Sequence, residues 1–112
     1  MLLQSRFLGA KDRAKKKNLP FTITKECLKE LWDKQNGKCA ISGIEMTYSL
    51  CEGRIPTNVS IDQINQNDGY TKDNIQLVCM AVNQIKSDLQ MDDVYRFCKA
   101  ILENKERNEK DN

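Results

Sequence analysis

Between residues 58 and 64 apolar and polar side chains alternate, Val59 and Ile61 against Ser60 and Asp62. That is the period of a half-buried strand. A run of turn formers follows, Asn65 to Asp68, closed by Gly69, a residue free to take positive φ. Residues 75–78, Ile-Gln-Leu-Val, read as a second short strand. Met80, Val82, Asn83 and Lys86 then fall in a segment that can be helical. Residues 58–86 thus predict a ββα unit with an acid, Asp62, on its first strand.

Helical spacing governs most of the remaining chain. Residues 3–17 predict a helix with Phe7, Ala10 and Ala14 on one side. Arg6, Lys11, Arg13, Lys15, Lys16 and Lys17 occupy much of the rest. Asn18-Leu19-Pro20 ends it, because the residue before proline avoids the α region. Residues 21–23 read as extended. Thr24 is a suitable N-cap for a second helix over residues 25–35, where Leu28, Leu31, Trp32 and Gln35 share a face beside Cys27. Asn36-Gly37 supplies its left-handed stop. Residues 38–43 read as a tight knuckle, 44–48 as a short strand and 49–57 as a loop. A turn over 87–90 precedes a last helix, 91–103, with Asp92 and Asp93 near its positive end. Its predicted buried stripe is Val94, Phe97, Cys98, Ile101 and Leu102. Residues 104–112 hold no apolar side chain and read as a frayed tail. Trp32 and Phe97 are assigned to the core.

These elements give an α+β class: a small ββα core flanked by a basic N-terminal helix, a second helix and a C-terminal helix. A chain of 112 residues can build one modest core, so residues 1–103 read as one domain. No apolar run approaches the roughly 20 residues that span a bilayer, and the first residues make a poor signal peptide. The expected location is the cytoplasm, with no membrane partner.

Charge sharpens the picture. The formal net charge is +2, but residues 1–38 carry +6 and residues 39–112 carry −4. A basic front beside an acidic remainder points to a face that meets polyanions; a solvated helix without a partner explains the run equally well. Five cysteines and no histidine exclude most zinc arrangements, since no two cysteines stand at C-x-x-C spacing. No structural zinc and no disulfide framework are expected.

The order QNGKCAISG, SIDQI, GYTKDNIQLVC and VNQIK, behind an upstream GAKDRAKKKNLPFTIT, resembles the small phage and bacterial HNH endonucleases of the His-Me finger group. The likeness covers roughly residues 10–102 and lies in several spaced elements in the right order. It implies a ββα-metal fold and metal-dependent phosphodiester hydrolysis of DNA, nicking one strand at a time, with Mg²⁺ or Mn²⁺ as cofactor. On this likeness Asp62 is a metal ligand, and Gln63 stands where the family has its general-base histidine. Asn74 ties the loop and orients the base, Asn83 completes the metal site, and Lys86 holds a phosphate. Arg6, Lys11, Arg13, Lys15, Lys16 and Lys17 would track the DNA backbone, the chain acting as a monomer. Cys39 and Cys79 stand where relatives carry zinc knuckles whose other ligands, here Ser42 and Val82, are missing; the two thiols are expected to lie close together.

Glutamine cannot accept a proton near neutral pH. Two further readings therefore stand beside the nuclease: a catalytically impaired HNH-fold module that binds DNA or protein, and a structural partner of an acidic protein. Taken singly, Asp62 also reads as an exposed carboxylate, Asn74 as a turn cap, Asn83 as a helix-surface residue and Tyr70 as a packing anchor for the loop.

Overall fold

The computed structural model describes residues 2–50 and 53–110. Cys51 and the last two residues of the predicted tail lie outside the described residues. In chain order the elements are α1 (Leu2–Lys17), α2 (Lys25–Lys34), β1 (Val59–Gln63), β2 (Ile75–Cys79), α3 (Met80–Lys86) and α4 (Met91–Lys110). The class is α+β: four helices and a two-stranded antiparallel sheet among the described residues.

The sheet pairs Val59 with Cys79, Ile61 with Leu77 and Gln63 with Ile75. Alternation places those six residues on one face and Ser60, Asp62, Gln76 and Val78 on the other. From the first face, Val59, Ile61, Ile75 and Leu77 enter a core with Leu2, Ala10 and Ala14 of α1, Ile23 and Leu28. α3 packs against both strands. A two-stranded sheet is marginal by itself; here helices shield it.

Local signals act as expected at α2. The Thr24 hydroxyl accepts from the N–H of Cys27 at 3.1 Å, and Asn36 and Gly37 both take positive φ. Trp32 is half-buried, its ring edge-on to Tyr48 with centroids 5.9 Å apart. The knuckle closes through Cys39 N–H to Ile44 C=O at 2.8 Å and joins β2 through Ala40 N–H to Leu77 C=O at 3.0 Å. The strand expected over 44–48 is reduced to isolated bridges, Lys38 with Glu45 and Thr47 with Asn58.

The loop between β1 and β2 is fastened to the segment after α1. Phe21 bridges Tyr70 in parallel, and Tyr70 N–H donates to Pro20 C=O at 2.8 Å. Gly69 has φ +94°, and a Cβ there would stand 2.6 Å from the Pro20 oxygen. Only glycine fits so close an approach. Tyr70 is buried at this junction, beside Phe21 with ring centroids 5.8 Å apart. It is the packing anchor that its position after Gly69 indicated.

Two expectations about the C-terminus are corrected. α4 runs to Lys110, past the predicted end at 103. Residues 104–110 lack apolar groups, but they also lack Gly and Pro; Glu, Lys and Arg propagate a helix well, and Lys105 pairs with Glu109 one turn on. The predicted stripe is also not core. Among its members only Val94 is buried, while Phe97 is 49% exposed, Ile101 71%, Leu102 56%, and Cys98 is exposed. Of the described helices and strands α4 meets only α3, and from Tyr95 onward every described residue is exposed. No helix among the described residues is long and apolar enough to cross a membrane.

Candidate functional site

Asp62 lies mid-strand on the polar face of the sheet, under α3. It is not an exposed carboxylate: it is 2% exposed. Antiparallel register sets Gln76 directly across from it, and Gln76 Nε2 donates to Asp62 Oδ2 at 2.9 Å. From the last turn of α3, Lys86 Nζ donates to both carboxylate oxygens at 2.9 Å. Its third bond goes to the backbone C=O of Gln63 at 2.8 Å. An ammonium has three protons and no acceptor, so all three find oxygens. Lys86 is itself 2% exposed.

One turn back on α3, Asn83 Nδ2 donates to Ser60 Oγ at 2.9 Å. Residues three apart on a helix share a face, and residues two apart on a strand share a face. Asn83 over Ser60 and Lys86 over Asp62 is therefore one matched pair of periodicities. Sequence reading placed Asp62, Asn83 and Lys86 in one unit but missed Ser60 and Gln76. The signal for both is the alternation that put Asp62 on the polar face.

Gln63 turns to the loop, its Oε1 accepting from the N–H of Gly69 at 3.0 Å. Asn74 is buried and makes a two-way clasp. Its Oδ1 accepts from Asn65 N–H at 2.9 Å, while Nδ2 donates to Asn65 C=O at 3.0 Å and Gly69 C=O at 2.8 Å. Residues 65–69 are thereby fixed to the start of β2. Gln35, counted in the apolar face of α2, clasps β2 in a similar way. Its amide exchanges two hydrogen bonds with the backbone of Leu77, at 2.9 and 3.1 Å.

The implied DNA-binding cations divide into two groups. Lys86 is sealed beneath α3 and cannot reach a phosphate. Arg6 Nε donates to Val59 C=O at 2.9 Å, and Arg13 Nε to the Tyr70 hydroxyl at 3.4 Å. Both arginines fasten α1 to the ββα unit. Lys11, Lys15, Lys16 and Lys17 are exposed; of these Lys16 pairs with Asp12 at 3.0 Å, on the solvated surface.

Cys39 and Cys79 are both buried and lie together where the knuckle meets β2. Burial alone pushes the Cys39 thiol up, but hydrogen bonds from Ser42 and from the backbone of Cys79 and Ile41 outweigh it and leave the thiol below its ordinary value. Burial raises Cys79, and the neighbouring Cys39 raises it further. Among the described residues no three His, Cys, Asp or Glu side chains converge on a point that could hold a metal.

The donors at Asp62 do not fit the divalent cation that the resemblance implies. Mg²⁺ asks for about six oxygens at roughly 2.0–2.1 Å, several of them from water. Here the single carboxylate is enclosed, neutralised by an ammonium and further engaged by an amide. The Asn83 amide nitrogen is directed at Ser60. Among the described residues Asp62 belongs to no group of three His, Cys, Asp or Glu side chains that could draw a metal past Lys86. The chain matches no protein-family model, no curated protein and no solved structure.

Proposed function

We propose that the chain is a non-catalytic DNA-binding module, built on a ββα unit like that of the HNH endonucleases, which grips the phosphate backbone through α1. One observation carries the reading: Lys86, Arg6 and Arg13 are engaged with Asp62, Val59 and Tyr70, while Lys11, Lys15, Lys16 and Lys17 of α1 are exposed, Lys16 paired only with the solvated Asp12. A carboxylate already neutralised by a buried ammonium cannot also serve as the open metal ligand that hydrolysis needs. Phosphate contacts, by contrast, need only exposed ammonium groups held at fixed spacing on a rigid support. α1 meets that requirement, with Ala10 and Ala14 buried against the body and two arginines pinning it. Such contacts would position the module on DNA without reading sequence.

Two assays on the same preparation decide the matter. The protein is expected to retard duplex DNA in a gel while leaving supercoiled plasmid intact with Mg²⁺ or Mn²⁺. Replacing Lys11, Lys15, Lys16 and Lys17 together by Ala is expected to abolish the retardation without loss of fold. Nicking of the plasmid that disappears in Asp62→Ala would overturn this reading in favour of a metal-dependent endonuclease. Unchanged retardation in the four-lysine variant would remove α1 as the DNA contact.

A further inference from the structure

From Tyr95 onward α4 stands away from the body, in a molecule 51 Å long against 29 and 26 Å across. A helix in water has no need of apolar groups, yet the first half of this stretch carries several. Tyr95 is 60% exposed, Phe97 49%, Ile101 71% and Leu102 56%, with exposed Cys98 among them. They form one face. Val94, Cys98 and Ile101 recur at steps of four and three, with Tyr95 and Leu102 on one flank and Phe97 on the other. Lys105 and Asn108 continue the same row, so its apolar part ends at Leu102.

We propose that this face binds the same face of a second copy, the two α4 helices running antiparallel, in place of the monomer that the resemblance implies. The inference rests on α4 and stands whether or not α1 binds DNA. Fit favours a second copy. With Cys98 set opposite Ile101 of the second copy, the two-fold axis also sets Tyr95 beside Leu102 and Val94 under the methylene stem of Lys105. The apolar rows then cover one another, and the contact ends where each row turns polar.

Charge selects the antiparallel arrangement. Residues 88–93 hold three acids, Asp88, Asp92 and Asp93, and no base, whereas residues 104–110 hold three bases and two acids. Antiparallel pairing puts the acidic start of each helix beside the more basic end of the other and opposes the two helix dipoles. A parallel pair sets acids against acids. The area is also sufficient. Aromatic side chains offer about 150–250 Å² and large aliphatic ones somewhat less, so the exposed fractions leave roughly 400 Å² of apolar surface per copy. Two copies joined there cover about 800 Å², as much as an interface of about 1,200 Å² needs at about 65% apolar.

Sedimentation equilibrium of the unaltered protein is the test. It is expected to show a monomer–dimer equilibrium with a dissociation constant on the order of 10–100 μM, the weak range of so small an interface. Ile101→Lys, at a position already exposed in the single chain, is expected to keep its helix content and to weaken association more than about tenfold. A mixture of isotope-labelled and unlabelled chains is expected to give intermolecular nuclear Overhauser contacts between Tyr95 and Leu102. An unaltered protein that stays monomeric to about ten times the upper end of that range overturns the proposal, and that arm needs no variant. Undiminished association of Ile101→Lys overturns it too. Intermolecular contacts of Tyr95 with Val94 and Cys98 instead of Leu102 would mean parallel helices. Contacts from α4 to Leu28, Trp32 and Tyr48 would seat it in the groove that those residues line on a second copy. Either result replaces the antiparallel pair.

Discussion

The amide of Asn74 satisfies three backbone groups of the loop that joins the strands, on Asn65 and Gly69. Asn74→Ala leaves the Gly69 carbonyl without its partner in a buried place and the Asn65 groups to water, an expected cost of about 1–3 kcal/mol in urea unfolding. Asp62 and Lys86 make the sharper case at this scale. Each single change, Asp62→Asn or Lys86→Met, strands a buried partner and is expected to destabilise by about 3–5 kcal/mol. Because the double change removes both charges together, its cost should fall well short of the sum; a double-mutant cycle measures the shortfall. A fully additive cycle would mean that the two groups do not depend on each other. The resemblance read from the sequence marked Asp62, Gln63, Asn74, Asn83 and Lys86 as a constellation. It did not tell which side chain would face which, since Gln63 and Asn74 turn toward the loop while Lys86 turns toward the acid. Those choices depend on a strand register and on a helix placed over it.

Element boundaries were legible where a local stop exists. Asn18-Leu19-Pro20 ends α1 and Asn36-Gly37 ends α2 because the residues themselves refuse to continue. α4 lacks such a stop, and its end was misjudged for that reason. Its apolar stripe was also read as core, since a 3.6-residue period reports that one face is apolar and not what lies opposite it. The segment beyond 103 is exposed throughout its described length. The ion pairs of this helix, Lys99 with Glu103 and Lys105 with Glu109, are solvent-exposed pairs of small worth. Ending the chain after Glu103 is accordingly expected to change the unfolding free energy by less than about 0.5 kcal/mol. A larger loss in thermal or urea unfolding would show that the outer turns of α4 support the fold.

For the molecule as a whole, charge is separated along the chain, with the basic share in the segment that forms α1 and α2. If the four exposed lysines of α1 are the DNA contact, log Kd should vary with log salt with a slope of about 3 to 4, near 0.9 for each phosphate neutralised. Each Lys→Ala change should lower that slope by about one. A slope unaffected by the α1 lysines would place the contact elsewhere. Arg6→Ala is not expected to behave like them: it removes a tie to β1 and should register first as lost stability.

What the chain order determined by itself was the four helices and the two paired strands, the cap and stop of α2, the acid on β1 and the basic front, because period, turn chemistry and charge are carried by neighbouring residues. What only the tertiary structure decided was the fate of the long cations. Arg6 reaches a carbonyl 53 residues on, and Lys86 a carboxylate 24 residues back. Arg and Lys side chains are long enough to serve either solvent or the interior, and no local pattern distinguishes the two. Folding does, by bringing unpaired oxygens within reach of some of these groups and leaving the lysines of α1 in water.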